Sequence, residues 1–187
     1  MTLTLRQCAQ IAARHIATIF GVAAVWIVFF RLNGLIFYGL DHSVFASWIF
    51  LPAAVRILAV LIFETPAAWG LMLGAFATSA PGTDMSHVLA ICFMSGFAPY
   101  VAVRVCQKYM GLSSDLSGMG VGDIIRLSFY GALSNAVLLN LTLFVLGTTH
   151  IDLVQVGTVF VGDLLGTALV IYALAALLWL LSSRRKG

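Results

Sequence analysis

The stretch VFASWIFLPAAVRILAVLIF, from Val44 to Phe63, contains one charged residue, Arg56, among twenty positions that are otherwise mostly apolar. About 20 apolar residues in a helix cross the hydrocarbon core of a bilayer. An arginine near the middle of such a segment costs ~2.5 to 3.5 kcal/mol on insertion scales, so it is expected to have a partner or a task there. This stretch therefore predicts a membrane protein that buries a cation.

The composition of the whole chain favours the same class. Of its 187 residues, 61% are hydrophobic and only 9% are charged, and the mean hydropathy is +1.05. Such a chain has too little polar surface for a water-soluble domain. The apolar runs predict six spans, at residues 11–30, 44–63, 66–80, 86–105, 124–147 and 157–181. The expected fold is all-α, a single integral membrane domain covering residues 1–187.

The third predicted span is short for a bilayer. Its fifteen positions give a helix of ~22 Å against a hydrocarbon core of ~30 Å. Its flanks must extend it, the lipid beside it must thin, or it crosses only partly.

The distribution of basic residues predicts the orientation in the membrane. Six spans place both termini on one side, and that side would carry eight of the ten basic residues: Arg6, Arg14, Arg104, Lys108, Arg126, Arg184, Arg185 and Lys186. The other side would carry Arg31 alone. Because basic residues in short loops stay in the cytoplasm, both termini are predicted to be cytoplasmic. The net charge of +3 is explained by this anchoring at anionic lipid and gives no reason to expect nucleic acid as a partner.

Polar residues in the later spans are candidate partners for Arg56. Helical rise places Arg56 and Asn135 ~18 Å below the outer surface and Asp163 ~9 Å below it. Since side chains tilt toward the helix N-terminus, the guanidinium of Arg56 leans toward the level of Asp163. An ion pair is predicted if the second and sixth helices are neighbours. Its role is either to hold the bundle together or to bind a ligand or sense a signal. Asn140 would extend this polar core or bond to a neighbouring helix.

Small residues spaced four apart predict where the helices approach closely, because helix association in lipid depends on packing. They form three seams: Ala13, Ala17 and Gly21 in the first span, Gly70 and Gly74 in the third, and Gly162 and Gly166 in the sixth. Packing within the chain and contact with a partner protein are the two interpretations.

The sequence shows little sign of enzyme chemistry. The four histidines are scattered and the three cysteines form no CxxC pair, so neither a metal site nor a cofactor is expected. The glycines between Gly111 and Gly122 join two membrane helices and lack the βαβ context of a phosphate-binding loop. We expect a non-enzymatic protein.

Four segments together resemble MASE1, an integral membrane sensory domain of bacterial histidine kinases and diguanylate cyclases. They are Ser47 to Ala54 (SWIFLPAA), Trp69-Gly70 to Gly74-Ala75, Asp123 to Arg126 (DIIR) and Gly162 to Gly166 (GDLLG). The resemblance covers residues 44 to 175. It implies a sensory or signal-relay module of the bacterial inner membrane that acts through a membrane partner, here as a stand-alone version with six spans. Arg56 departs from the pattern, which commonly continues with glycine and apolar residues.

Two other functions fit the same features. Six spans in a short chain, with an Ala13-x-x-x-Ala17 face, are similar to the substrate-binding subunit of an energy-coupling-factor vitamin transporter. The other is an accessory subunit that scaffolds a larger membrane complex. Stabilisation by a water-soluble vitamin would favour transport, whereas stabilisation by a partner protein alone would favour a sensor or scaffold.

Overall fold

The computed structural model describes residues 5–43, 46–111, 118–148 and 152–184. Most of them lie in six helices: α1 (Leu5–Ile36), α2 (Pro52–Phe63), α3 (Thr65–Ala77), α4 (Met85–Tyr109), α5 (Val121–Val145) and α6 (Leu153–Arg184). Between α1 and α2, the strands β1 (Asp41–Ser43) and β2 (Ala46–Ser47) form a small antiparallel hairpin. The predicted helical fold is observed, and the hairpin is an addition that the sequence did not predict.

Four of the helices, α1, α4, α5 and α6, are long and apolar enough to cross a membrane. Helices α2 and α3 have 12 and 13 residues, which correspond to ~18 and ~20 Å, less than the ~30 Å hydrocarbon core. The protein is therefore a helical bundle with four helices of membrane-spanning length and a shorter pair.

The predicted second span, residues 44–63, is not one continuous helix. Helix α2 begins only at Pro52, which suits the first turn because proline lacks the N–H that would be unpaired there. The residues before it are held differently: Ala46–Ser47 pair with β1, and the Phe50 N–H donates to the Gly162 carbonyl at 3.0 Å. Several residues used in the predictions lie outside the described ranges, namely 44, 45, 112–117, 150, 185 and 186.

Helix α2 is the centre of the bundle. It packs against all five other helices, and around it α1 contacts α3, α3 contacts α4, α4 contacts α5 and α5 contacts α6. Nine of its twelve residues are buried, Arg56 among them. The helix that carries the cation is thus the one with the most neighbours.

A sharp connection joins α2 to α3. Glu64 is the single residue between them and has a positive φ of 53°, while its N–H donates to the Val60 carbonyl at 2.8 Å. Its carboxylate lies 3.3 Å from the Arg104 guanidinium on α4. The short pair is therefore a tight helical hairpin tied to α4.

Two of the three small-residue seams pack inside the chain. A Cβ added at Gly70 would lie 2.7 Å from the Val22 Cβ, and one at Gly74 would lie 2.8 Å from the Trp26 Cβ, so α3 touches α1 closely. On α6, a Cβ at Gly162 would overlap the Ser47 carbonyl.

A Cβ added at Gly166, one turn further along α6, would likewise overlap the Phe50 carbonyl. The seam on α1 behaves differently, because Ala13 and Ala17 are exposed and nothing in the described part of the chain lies within 4 Å of a Cβ at Gly21. The α1 seam is therefore a surface of the bundle.

Candidate ligand-binding site

Arg56 and Asp163 form a buried ion pair between α2 and α6. The Nη1 of Arg56 lies 3.1 Å from Oδ2 and 3.4 Å from Oδ1 of the carboxylate. Only 7% of Arg56 and 4% of Asp163 remain exposed. A buried charge pair of this kind is maintained by its geometry and by further hydrogen bonds, since both ions have lost their water.

Asn135 supplies such a hydrogen bond from α5. Its Nδ2 donates to Oδ2 of Asp163 at 2.7 Å, and 3% of the residue is exposed. The structure thus brings three of the four predicted polar-core residues together from three helices. The group contains one cation and one anion, so its net charge is zero.

Two aromatic rings enclose the guanidinium of Arg56. Its Cζ lies 5.1 Å from the centre of the Trp26 ring and 5.0 Å from that of Phe50, distances at which the ring faces attract a cation. Trp26 is fixed in turn because its Nε1–H donates to the Thr78 hydroxyl at 3.1 Å. Neither ring was predicted from the sequence; the available signal was a tryptophan whose N–H needs a partner inside an apolar run.

The hydrogen-bonding capacity of Arg56 is not used up. Nη1 makes both bonds to Asp163, whereas Nε is buried and has no hydrogen-bond partner in the described part of the chain. Buried donors are normally paired, and an unpaired one indicates a ligand, a water or an altered state.

A cavity of about 630 Å³ adjoins the ion pair. It reaches Asp41 and Thr83, which are exposed, so it connects the pair with the surface near the C-terminal end of α1. Its polar lining also includes Asn33, Ser43, Ser47, Thr78, Ser79, Ser95 and Asn135. Apolar pockets of ~300 to 1,000 Å³ with a few convergent polar groups are typical binding sites for small molecules.

Asn33 positions the start of α2 beside this cavity. Its Oδ1 accepts a hydrogen bond of 2.8 Å from the N–H of Leu51, the residue before the helix. It is 7% exposed. A helix N-terminus leaves N–H groups without internal partners, and Asn33 satisfies one of them from α1.

Asn140, the fourth predicted polar-core residue, belongs to a different pair. Its Nδ2 donates to the Ala136 carbonyl at 2.8 Å, and its Oδ1 accepts from Gln155 Nε2 of α6 at 2.9 Å. It is not part of the cavity lining. Of the two possibilities for Asn140, the structure shows the hydrogen bond to a neighbouring helix and not an extension of the polar core, because five positions along α5 separate it from Asn135 and its amide meets another part of α6.

Outside this site, two histidines of the described part of the chain lie close to carboxylates. His87 Nδ1 and the Asp84 carboxylate are 3.1 Å apart, and His42 and Asp152 are 3.8 Å apart. Hydrogen bonds from Ser86 and then His87 lower the pKa of Asp84, because they stabilise its ionised form. Among the described residues, no three His, Cys, Asp or Glu side chains are placed to hold a metal ion.

The chain matches no protein-family model, and it has no significant match among curated proteins or solved structures.

Proposed function

We propose that this chain is a non-enzymatic sensory module of a membrane, in which the cavity beside Arg56, Asn135 and Asp163 binds a small molecule. Binding changes how the bundle contacts a second membrane protein, which carries the signal further. The observation that carries the proposal is a neutral, buried ion pair that lines a cavity reaching the surface.

A purely structural role for the ion pair explains less of the geometry. Replacing a buried ion pair by apolar residues is often neutral or stabilising, so such a pair is weak evidence for a stabilising role. Here a cavity adjoins the pair, and two of the three guanidinium nitrogens, Nε and Nη2, have no partner among the described residues. Polar groups of this kind beside an accessible cavity favour recognition of a ligand.

The position of α2 supports the relay step. Because α2 contacts all five other helices, a shift of Arg56 on binding a ligand changes the packing of α2 against each of them. A ligand changes a conformational equilibrium only by interacting differently with the two states, and Arg56 is the group through which we propose that it does so. The resemblance to MASE1 supports a sensory rather than a catalytic role.

For the partner, we propose a transmembrane helix of another membrane protein packed against α1. The exposed face at Ala13, Ala17 and Gly21 allows close approach. Next to it lies an apolar groove of about 590 Å³, which Leu58 of α2 and Leu174 of α6 help to line. Cysteine cross-linking from position 17 in membranes would test this contact, with position 165, an exposed position on α6, as the control.

We propose six membrane segments with both termini in the cytoplasm of a bacterium, as the distribution of basic residues indicates. In this orientation the cavity faces outward, since its exposed residues Asp41 and Thr83 lie at the end of α1 opposite Arg6. Cys8 is exposed, so a membrane-impermeant maleimide should label it in inverted vesicles and not in intact cells. Labelling in intact cells would contradict the orientation.

The function itself is tested by comparing Arg56→Leu with Arg31→Leu in cells and by identifying the proteins that co-purify with each. Both substitutions remove one positive charge, but Arg31 is exposed whereas Arg56 pairs with Asp163. We expect Arg56→Leu to abolish the ligand-dependent change in partner association and Arg31→Leu to retain it. Equal behaviour of the two variants would overturn the proposal.

The substrate-binding subunit of a vitamin transporter is the second candidate. The cavity and the exposed Ala13 and Ala17 face also fit that role. Uptake of a labelled vitamin into vesicles that depends on this chain would favour transport. Ligand binding without uptake would favour the sensor.

A further inference from the structure

We infer that the cavity selects an uncharged molecule with a carboxamide or lactam group, one that presents a C=O and an N–H side by side, over a carboxylate or an amidinium. This inference rests on the proposed function, because it names the chemical class that the binding cavity takes. It follows from the charge, the hydrogen-bonding groups and the walls of the site.

The buried charges that line the cavity cancel each other. Arg56 and Asp163 neutralise each other at 3.1 Å, so an additional carboxylate would leave a buried excess negative charge, and an amidinium a positive one. Uncompensated buried charges are strongly disfavoured. Asp41 is the other carboxylate among the described lining residues, and it is exposed at the mouth, where water solvates it.

The unused hydrogen-bonding groups form a matched set of donors and acceptors. Asn135 must present Nδ2 to the carboxylate of Asp163, which leaves its Oδ1 as an acceptor with no partner in the described ranges. Arg56 bonds only through Nη1, so Nη2 remains a donor. An amide would accept from Arg56 through its carbonyl and donate to Asn135 through its N–H, and each of the two charges would keep its present partner.

Ser95 adds a third group to this set. It lines the cavity from α4 and is only 5% exposed, and its hydroxyl makes no hydrogen bond within the described part of the chain. A hydroxyl both donates and accepts, so it suits either side of an amide. The Ser95 hydroxyl therefore does not favour an ionic ligand over an amide.

The walls of the cavity suit an apolar group attached to the amide. Phe30, Phe37, Trp26 and Phe50 all line it, together with aliphatic residues of α4 to α6. Burial of apolar surface against such walls contributes to binding in proportion to its area. A ring bearing a carboxamide would thus place its polar edge at the ion pair and its apolar body along these walls.

The test uses three probes that share one ring and differ in charge: benzamide, benzoate and benzamidine. Their binding to the full chain in detergent micelles is measured by ligand-observed NMR. We expect benzamide to bind at least about tenfold more tightly than either ion, a free-energy difference of ~1.4 kcal/mol or more. Benzoate or benzamidine binding as tightly as benzamide, or the absence of binding by all three, would overturn the inference.

Two variants test whether benzamide binds at this site and whether the charge of the site determines the selectivity. Asn135→Leu removes the acceptor and should abolish benzamide binding. Asp163→Asn gives the site a net positive charge, so benzoate should gain relative to benzamide, and a persistent preference for benzamide would count against the charge argument. If Asp163→Asn fails to fold, the relative affinities of the three probes for the native chain still test the inference.

Failure of the inference is distinguishable from failure of the proposed function. If an ion binds best and Arg56→Leu abolishes its binding, the cavity is a binding site for another chemical class and only the inference falls. If Arg56→Leu and Arg31→Leu behave alike in cells, the sensory function falls whatever the probes do.

Discussion

The Nη1 atom of Arg56 lies 3.1 Å from Oδ2 of Asp163, although 107 positions separate the two residues in the chain. Each charge would be strongly disfavoured alone in this setting, and each is tolerated because the other is present. Removing one partner leaves an uncompensated charge, whereas removing both leaves none.

This relationship predicts the outcome of a double-mutant cycle. Arg56→Leu and Asp163→Leu should each lower the free energy of unfolding by ~3 to 5 kcal/mol, because breaking a buried ion pair leaves a buried charge unpaired. The double variant should be more stable than either single variant. Denaturant unfolding in detergent provides the measurement, and Arg31→Leu, at an exposed position, is the control. Additive losses in the double variant would show that the two side chains are not coupled.

The contact of α6 with the segment before α2 predicts a difference between glycines of one helix. Gly166→Ala should lower the free energy of unfolding by ~1 to 3 kcal/mol or more, because its methyl group would overlap the Phe50 carbonyl. Gly157→Ala meets nothing within 4 Å among the described atoms, and should be neutral or stabilising by up to ~1 kcal/mol through helix propensity. Thermal unfolding of the two purified variants compares them, and an equal effect would contradict this packing.

The separation of Asn140 from Arg56 predicts that its role is structural. Asn140→Ala removes the acceptor of Gln155 Nε2 and should lower the free energy of unfolding by ~1 to 3 kcal/mol, the cost of a buried polar group without a partner. Benzamide affinity should remain within about twofold of the native value, whereas Asn135→Leu should abolish it. Loss of binding in both variants would place Asn140 in the site after all.

The lowered pKa of Asp84 predicts a pH dependence at the start of α4. Its carboxylate accepts from the Ser86 N–H at 3.1 Å and also contacts the Ser86 hydroxyl and His87. Since the pKa is lower in the folded than in the unfolded state, Asp84 stabilises the fold above the pH at which an ordinary aspartate titrates, and this stabilisation is lost as the pH falls through the lowered pKa.

Asp84→Asn should therefore flatten the melting temperature against pH in the acidic range, while leaving it little changed near neutrality because asparagine also caps helices. Asp123→Asn is the matched control in the first turn of α5, where the carboxylate accepts from the Gly120 N–H at 3.0 Å. Parallel pH profiles for the native protein and Asp84→Asn would contradict the assignment.

The sequence predicted which segments are helical better than it predicted where each helix begins and ends. Predicted spans 86–105, 124–147 and 157–181 correspond to Met85–Tyr109, Val121–Val145 and Leu153–Arg184, since a long apolar run leaves little alternative to a helix. The second span was misjudged because the residues from Trp48 to Leu51 continue the apolar run without a break, yet Ala46 and Ser47 before them pair with Asp41–Ser43. Backbone pairing of this kind depends on neighbours that the local pattern does not contain.

The sequence by itself determined that this is a helical protein with helices long and apolar enough to cross a membrane, and that Arg56, Asn135 and Asp163 are the polar residues most in need of partners. Both conclusions depend on transfer free energies, which follow from the identity and the local order of residues. The tertiary structure alone decided that Trp26 and Phe50 enclose the guanidinium, that Asn140 joins Gln155 instead, and that a cavity reaches the ion pair. These depend on which faces of distant helices meet, and packing of the whole chain sets that choice.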